Sequence, residues 1–371
     1  MTVRKIIKRL HLYIALALCL PLVLQGLSGS ILVVERKLSE PQLLSDYSSV
    51  RPISAIISAA KKEVPEGFEP GIIRFAEVSE IRFSKKTEQK NETLAVKINP
   101  TSLEIISVKN PQTGLLYQIQ KFHTNLLIQG PQGTNIGRKI IGYYGLVMLF
   151  MIISGIIIWW PKKGNLQRAV TFKFSSSGKK FHRDLHGAIG FWMALLMLAS
   201  IFAGVYLAFP KQTRGFISAF FATENFTPAN EIKVEPTHGE AMPLAAVIDL
   251  AKAAVAPEEK FISIFIPNKS DQPYRLNFAP KNYQNGAPTI TIFVDQYQQK
   301  IIEKRDPKTF KLGEKIISWQ HAIHVGEGFT TIYTFIIFIV GFLPLLFSIT
   351  GIALWLIKKS NKAKRYANPT G

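Results

Sequence analysis

The sequence predicts a polytopic α-helical membrane protein. Four transmembrane helices form a duplicated two-plus-two bundle, and two small α+β modules occupy the long connections between spans. Three observations carry this. Four runs are apolar over the roughly 20 residues that a helix needs to cross a bilayer. The chain repeats itself. Histidines recur beside the apolar runs, at matching places in the two repeats.

The apolar runs are Leu12–Val34, Lys139–Trp160, Gly187–Phe209 and Phe329–Ile357. Core helices of soluble proteins are shorter and amphipathic, so these read as spans. The net charge is +20, and its placement gives it meaning. Residues 1–11, 161–186 and 358–371 together hold sixteen Lys and Arg against one acid, Asp184. The long connections, 35–138 and 210–326, are nearly balanced. Basic short loops face the cytoplasm, so both termini and the 161–186 loop are expected there, with the long connections outside. The charge is a topology signal, and no nucleic-acid partner is expected. The N-terminal run has the basic start of a signal peptide, but it is too long and lacks a small-residue cleavage site, so it reads as an uncleaved anchor. The single cysteine, Cys19, lies in the first span, which leaves the outer modules without disulfides or a thiolate metal cage.

The expected organisation is residues 1–34, N-terminus and first span; 35–118, first outer module; 119–160, histidine segment and second span; 161–186, basic loop; 187–209, third span; 210–317, second outer module; 318–357, histidine segment and fourth span; 358–371, tail. The repeat supports it. KRLHLYIALALCLPLVLQGLSGSILVV, from Lys8, aligns with RDLHGAIGFWMALLMLASIFAGVYLAF, from Arg183, placing His11 on His186 and Gly29 on Gly204. Ser154-Gly155 precedes Trp159 as Thr350-Gly351 precedes Trp355. QIQKFHTNLLIQG and SWQHAIHVGEG bring His123 onto His324. In each outer module a helical pattern (53–64, 243–255) is followed by short alternating runs suited to strands.

Of seven histidines, six lie near spans, and only His238 sits in an evident loop, where solvation is expected. Ionisable residues at membrane depth are rare and usually functional. The topology pairs His11 with His186 at the cytoplasmic face and His123 with His324 at the outer face. Two neutral imidazoles make a six-coordinate b-type haem centre, and helix bundles hold such groups between facing helices. Two bis-histidine b-type haems are therefore expected. Eighteen residues of helix rise about 27 Å, so Gly29 and Gly204 reach the outer pair, and Gly155 and Gly351 the inner one. Glycine would let a flat macrocycle approach the backbone; it equally lets membrane helices pack closely. His182, one turn before His186, has no counterpart in the first repeat, and reads as a propionate or headgroup contact or an alternative ligand. His321 is likewise an alternative to His324. Tyr117, Phe122, Trp319 and Phe329 would conduct or dock, or form an interfacial aromatic belt. There is no catalytic carboxylate pair, Ser/His/Asp set, P-loop or dinucleotide fingerprint, which argues against hydrolase and ATPase chemistry.

In KRLHLYIALALCLPLVLQGLSGSIL, LLYQIQKFHTNLL with SGIIIWWPKK, RDLHGAIGFW, and AIHVGEGF with TGIALWLIKK, the chain resembles the PepSY-associated transmembrane helix family (PiuB-like iron-regulated inner-membrane proteins). The outer modules resemble PepSY domains, in VKINPTSLEII and IFVDQYQQKII. The second departs from the family pattern, since VDQYQQK lacks the usual proline and glycine. The resemblance implies a bacterial inner-membrane haem reductase that acts on periplasmic ferric siderophores or other Fe(III) chelates, with His11, His123, His186 and His324 at the family's histidine positions. The partners are then lipid, a ferric chelate docking between the outer modules, and an electron donor that is a quinol or a cytoplasmic reductase. The alternatives are a non-enzymatic membrane protein that binds peptides or a protease through its PepSY-like modules, or an assembly partner of a membrane complex.

Overall fold

A computed structural model describes residues 2–44, 47–86, 91–128, 130, 134–161, 166–171, 177–236 and 241–367. Among them, the first half runs α1 (Val3–Leu38), α2 (Ile53–Lys61), β1 (Glu69–Arg74), β2 (Ser79–Lys86), β3 (Asn91–Ile98), β4 (Ile105–Lys109), α3 (Gly114–Asn125), α4 (Ile136–Trp159) and α5 (Leu166–Val170). The second runs α6 (Gly178–Ala208), α7 (Pro210–Phe220), α8 (Leu244–Lys252), β5 (Lys260–Phe265), β6 (Tyr274–Ala279), β7 (Ile290–Asp295), β8 (Lys300–Arg305), α9 (Leu312–Val325) and α10 (Thr331–Ala367). The chain divides into two compact units: Met1–Leu38, Gln118–Phe216 and Gln320–Gly371 in one, Ser39–Tyr117 and Ile217–Trp319 in the other.

The first unit is helical. Its α1, α4, α6 and the Thr331–Asn361 part of α10 are long and apolar enough to cross a membrane. The helices outrun the apolar sequence: α1 takes in Arg4, Lys5, Lys8 and Arg9, and α6 begins before Lys179. Lys and Arg stems can lie along apolar surface while their charges stay in water, so basic residues extend a span without breaking it. His11 and His186 consequently sit inside helices. In the bundle α1 neighbours α10 and α4, and α6 neighbours α4 and α10. At the α1–α10 crossing, a Cβ on Gly26 would strike the Gly341 carbonyl, and one on Gly341 would strike Ser30, whose Oγ donates to the Phe338 carbonyl at 2.8 Å. The α4–α6 crossing is built alike, with Val205 Cγ2 2.6 Å from where a Gly145 Cβ would stand. In lipid, such close backbone approach replaces the hydrophobic drive between helices.

The second unit is an antiparallel sheet with order β4-β3-β2-β1-β5-β6-β7-β8. The two α+β modules share it: β1 pairs with β5 through Ile72–Phe265, Ile73–Ile264 and Arg74–Ser263, a continuous hydrogen-bonded seam between the repeats. β2 carries little sequence signal, because SEIRFSKK has polar residues along one face and only Ile81 and Phe83 mark the other. The amphipathic α2 and α8 supply Ile56, Ala60, Val247, Ile248 and Ala251 to a core with Ile73, Ile81, Phe83, Val96, Ile264, Leu276, Phe278 and Ile292. Burying such side chains contributes about 1.5–3 kcal/mol each. The turn doubtful in sequence is the same in both repeats. Asn99 Oδ1 accepts from the Thr101 and Ser102 amides, and Asp295 Oδ1 from those of Tyr297 and Gln298. Leu103 and Gln299 then take positive φ, at 65° and 51°. In the second repeat the Asx turn thus forms without proline or glycine, whereas the first has Pro100 inside it.

Candidate functional site: two histidine pairs

At one end of the bundle, α1 presents His11 to α4, and α6 presents His186 to α10. His11 Nδ1 lies 2.8 Å from Ser154 Oγ, and His186 Nδ1 2.8 Å from Thr350 Oγ1. Each hydroxyl also lies against a carbonyl of its own helix, Ser154 against Met151 at 3.1 Å and Thr350 against Leu346 at 2.8 Å, so helix backbone, hydroxyl and imidazole are linked in both repeats. His11 and His186 lie within electrostatic reach of each other, and Phe347 packs on the His186 ring at 4.9 Å.

At the opposite ends of α1 and α6, His123 from α3 and His324 from α9 approach Gly29 and Gly204. His324 Nδ1 donates to the Ser200 carbonyl at 2.9 Å. His123 Nδ1 faces the Gln25 carbonyl at 3.1 Å, Ser28 Oγ at 3.0 Å and Gln25 Nε2 at 3.2 Å, and Ser28 Oγ also lies 2.9 Å from that carbonyl. Gln25 also donates to the His123 carbonyl at 2.6 Å, tying α3 to α1. Gln25 and Ser200 are repeat equivalents, fourteen residues beyond His11 and His186. Burial is the main cause that holds His123 down to about 4, with His324 as a second cause and the Gln25 hydrogen bond opposing. His324 is lowered as well, first by burial. Both rings are thus kept neutral.

All four imidazoles meet polar partners at Nδ1. Among the described residues none hydrogen-bonds to the four Nε2 atoms. This is the arrangement of a metal-ligating histidine, whose other nitrogen is fixed by a neighbouring acceptor. Two metal–imidazole bonds of about 2 Å each, with the reach from ring centre to nitrogen, separate the ring centres of two ligands on one iron by roughly 6 Å. The His123 and His324 ring centres are 6.0 Å apart. The donor set fits a haem iron. Among the described residues no group of three or more His, Cys, Asp or Glu could hold a bare ion.

Where Gly29 and Gly204 would carry Cβ, the imidazoles of His123 and His324 put Cε1 at 2.9 Å. These two glycines make room for the imidazole rings of His123 and His324. Gly155 and Gly351 face Cε1 of His11 and His186 at 3.5 and 3.9 Å, ordinary contact distances. The remaining sequence candidates stand apart from the paired rings. His182 packs edge-on against Phe181, and its Nδ1 is buried with no hydrogen-bond partner. His321 is exposed, one turn before His324. Phe329 packs on Tyr333 at 4.6 Å, and the Tyr333 hydroxyl donates to the carbonyl of Ile323, beside His324. Phe122 is half-buried next to His123, whereas Tyr117 and Trp319 belong to the sheet unit. His238, Lys162, Lys163 and Lys173 lie outside the described residues. Sequence reasoning missed Gln25, Ser28 and Ser200. It noted Ser154 and Thr350 only as residues beside glycines; a hydroxyl at the same place in both repeats was the available signal.

Fold and site together define a multi-pass membrane protein whose bundle holds two pairs of Nε2-presenting histidines. The chain belongs to the PepSY-associated TM region family, which it matches over residues 8–358. No curated protein matches it.

Proposed function

We propose that this protein binds two b-type haems, one between His11 and His186 and one between His123 and His324, and carries electrons across the bacterial inner membrane to ferric siderophores or other Fe(III) chelates in the periplasm. The observation that carries the reading is the common placement: four imidazoles in two pairs, each with polar partners at Nδ1 and, among the described residues, no hydrogen bond at Nε2. A haem bound there supplies one-electron transfer at a potential set by its surroundings. The chain provides the rest. Ser154, Thr350, Ser28 and the Gln25 and Ser200 carbonyls orient the rings. The apolar walls of α1, α4, α6 and α10 exclude water from the path between the pairs. The basic ends of α1, α6 and α10 keep the His11 end in the cytoplasm, where the electron donor is a quinol or a reductase. The substrate at the other end is the chelated iron; one electron converts Fe(III) to Fe(II), which hard oxygen ligands hold less well, so the metal is released.

The test is an absorption spectrum of detergent-purified protein, oxidised and then dithionite-reduced, with haem quantified per chain. Sharp b-type bands at two haems per chain, falling to one in His11→Ala or His324→Ala, support the reading, and stopped-flow oxidation by a ferric chelate then tests the activity. A colourless protein from haem-replete cells overturns it.

A further inference from the structure

One face of the sheet packs on α2 and α8; the other carries two cross-strand rows. The strand register sets out Arg82, Ile72, Phe265, Arg275, Phe293 and Glu303 in the first, and Glu80, Arg74, Ser263, Asn277, Thr291 and Arg305 in the second. Four arginines thus share this face with two glutamates. Arg74 and Arg82 both pair with Glu80, and Arg305 pairs with Glu303. Arg275 is left over. Its guanidinium lies flat on Phe265, 3.6 Å from the ring centre. Its Nε is buried without a hydrogen-bond partner, and among the described residues no acid pairs with it. Burial and the neighbouring Arg305 both work against its charge. A part-buried cation without an anion is costly, and a native structure that keeps one has a reason for it.

The surroundings name the missing partner. Phe265 offers the guanidinium a flat apolar platform, while Phe293, its other neighbour in the row, is fully buried with the Arg305 guanidinium 4.8 Å from its ring centre. Beside it runs a neutral polar ladder: Thr291 Oγ1 donates to Asn277 Oδ1 at 3.0 Å, and Asn277 Nδ2 donates to Ser263 Oγ at 2.9 Å. A guanidinium fork matches a planar carboxylate in two parallel hydrogen bonds. We infer that this face of the sheet is a binding site for a carboxylate borne on an apolar body, with Arg275 as the anchor and Phe265 as its platform. The site is independent of the histidine pairs.

The experiment is isothermal titration calorimetry of the full-length protein in detergent. The probes are benzoate, benzamide (the same body without charge) and inorganic phosphate. Wild type should bind benzoate saturably, while benzamide and phosphate bind about ten-fold more weakly or not at all, the size expected from losing a charge-assisted pair. Arg275→Gln should lose the benzoate heat while keeping its thermal midpoint. Should Arg275→Gln not fold, Phe265→Leu keeps the cation, removes the platform, and should weaken benzoate several-fold. Absence of saturable benzoate binding, phosphate binding as well as benzoate, or unchanged affinity in the variant that folds would each overturn the assignment.

Discussion

At the scale of single residues, the four half-sites differ in how tightly they are built. A methyl on Gly29 or Gly204 has an imidazole carbon 2.9 Å away, whereas Gly155 and Gly351 have room. Overpacking typically costs about 1–3 kcal/mol. Gly29→Ala and Gly204→Ala should therefore lower the thermal midpoint in detergent and displace the His123–His324 pair, while Gly155→Ala and Gly351→Ala stay close to wild type. Equal effects at all four positions would contradict this assignment. The hydroxyls invite a second comparison. Thr350→Val keeps the shape but removes the acceptor for His186, and Ser154→Ala does the same for His11. Outer partners of metal-bound histidines are worth about 10–100-fold in affinity. Titration of haem into apoprotein should show losses of that order, larger than for Ser318→Ala, whose hydroxyl serves only its own helix.

At the scale of elements, the helix crossings rest on missing side chains. Gly341→Val would drive a branched side chain into Ser30 and Gly26, so it should destabilise far more than Gly190→Ala, whose nearest neighbour is Phe347 at 3.8 Å. Heat-induced aggregation in one detergent separates the two. In the sheet unit, Tyr47 donates to the Phe261 carbonyl at 2.7 Å, and burial pushes its phenol up to about 12. The unfolded chain loses that proton near pH 10. Stability from the neutral phenol is complete below pH 10 and is lost as pH rises towards 12. Tyr47→Phe should cost about 1 kcal/mol at neutral pH, and its deficit should shrink between pH 10 and 12 in parallel denaturant melts. The spans, α2, α8 and most strands were legible because hydropathy and alternation are local signals. The β1–β5 seam was not: three residue pairs join segments nearly two hundred positions apart, and nothing in IIR or SIF announces a partner. The Nδ1 acceptors were half legible, since two are side chains repeated beside glycines and two are backbone carbonyls, which no residue type marks.

At the scale of the molecule, the basic ends define a direction. In a Cys19→Ser background, Lys179→Cys should react with an impermeant maleimide only after the cells are opened, and Gln284→Cys should react in intact cells. The reverse pattern would invert the topology and place the His123 pair in the cytoplasm. The repeat selects one histidine from each segment, and the structure brings His123 and His324 together across that repeat.

Each pair takes one histidine from the first repeat and one from the second. A protein half this long, with one copy of α1, α3 and α4, would own a His11-like and a His123-like residue and could close neither pair alone. Two such copies about a twofold axis could close both. The duplication thus points to a homodimeric ancestor, in which every change fell on both sides of the axis at once. Fusion released the halves from that constraint: Gln25 could diverge from Ser200, and the turn after α3 could come to use Leu126 and Leu127 at positive φ where the turn after α9 uses Gly326 and Gly328. A once symmetric assembly thus acquired two unlike ends without rebuilding its frame.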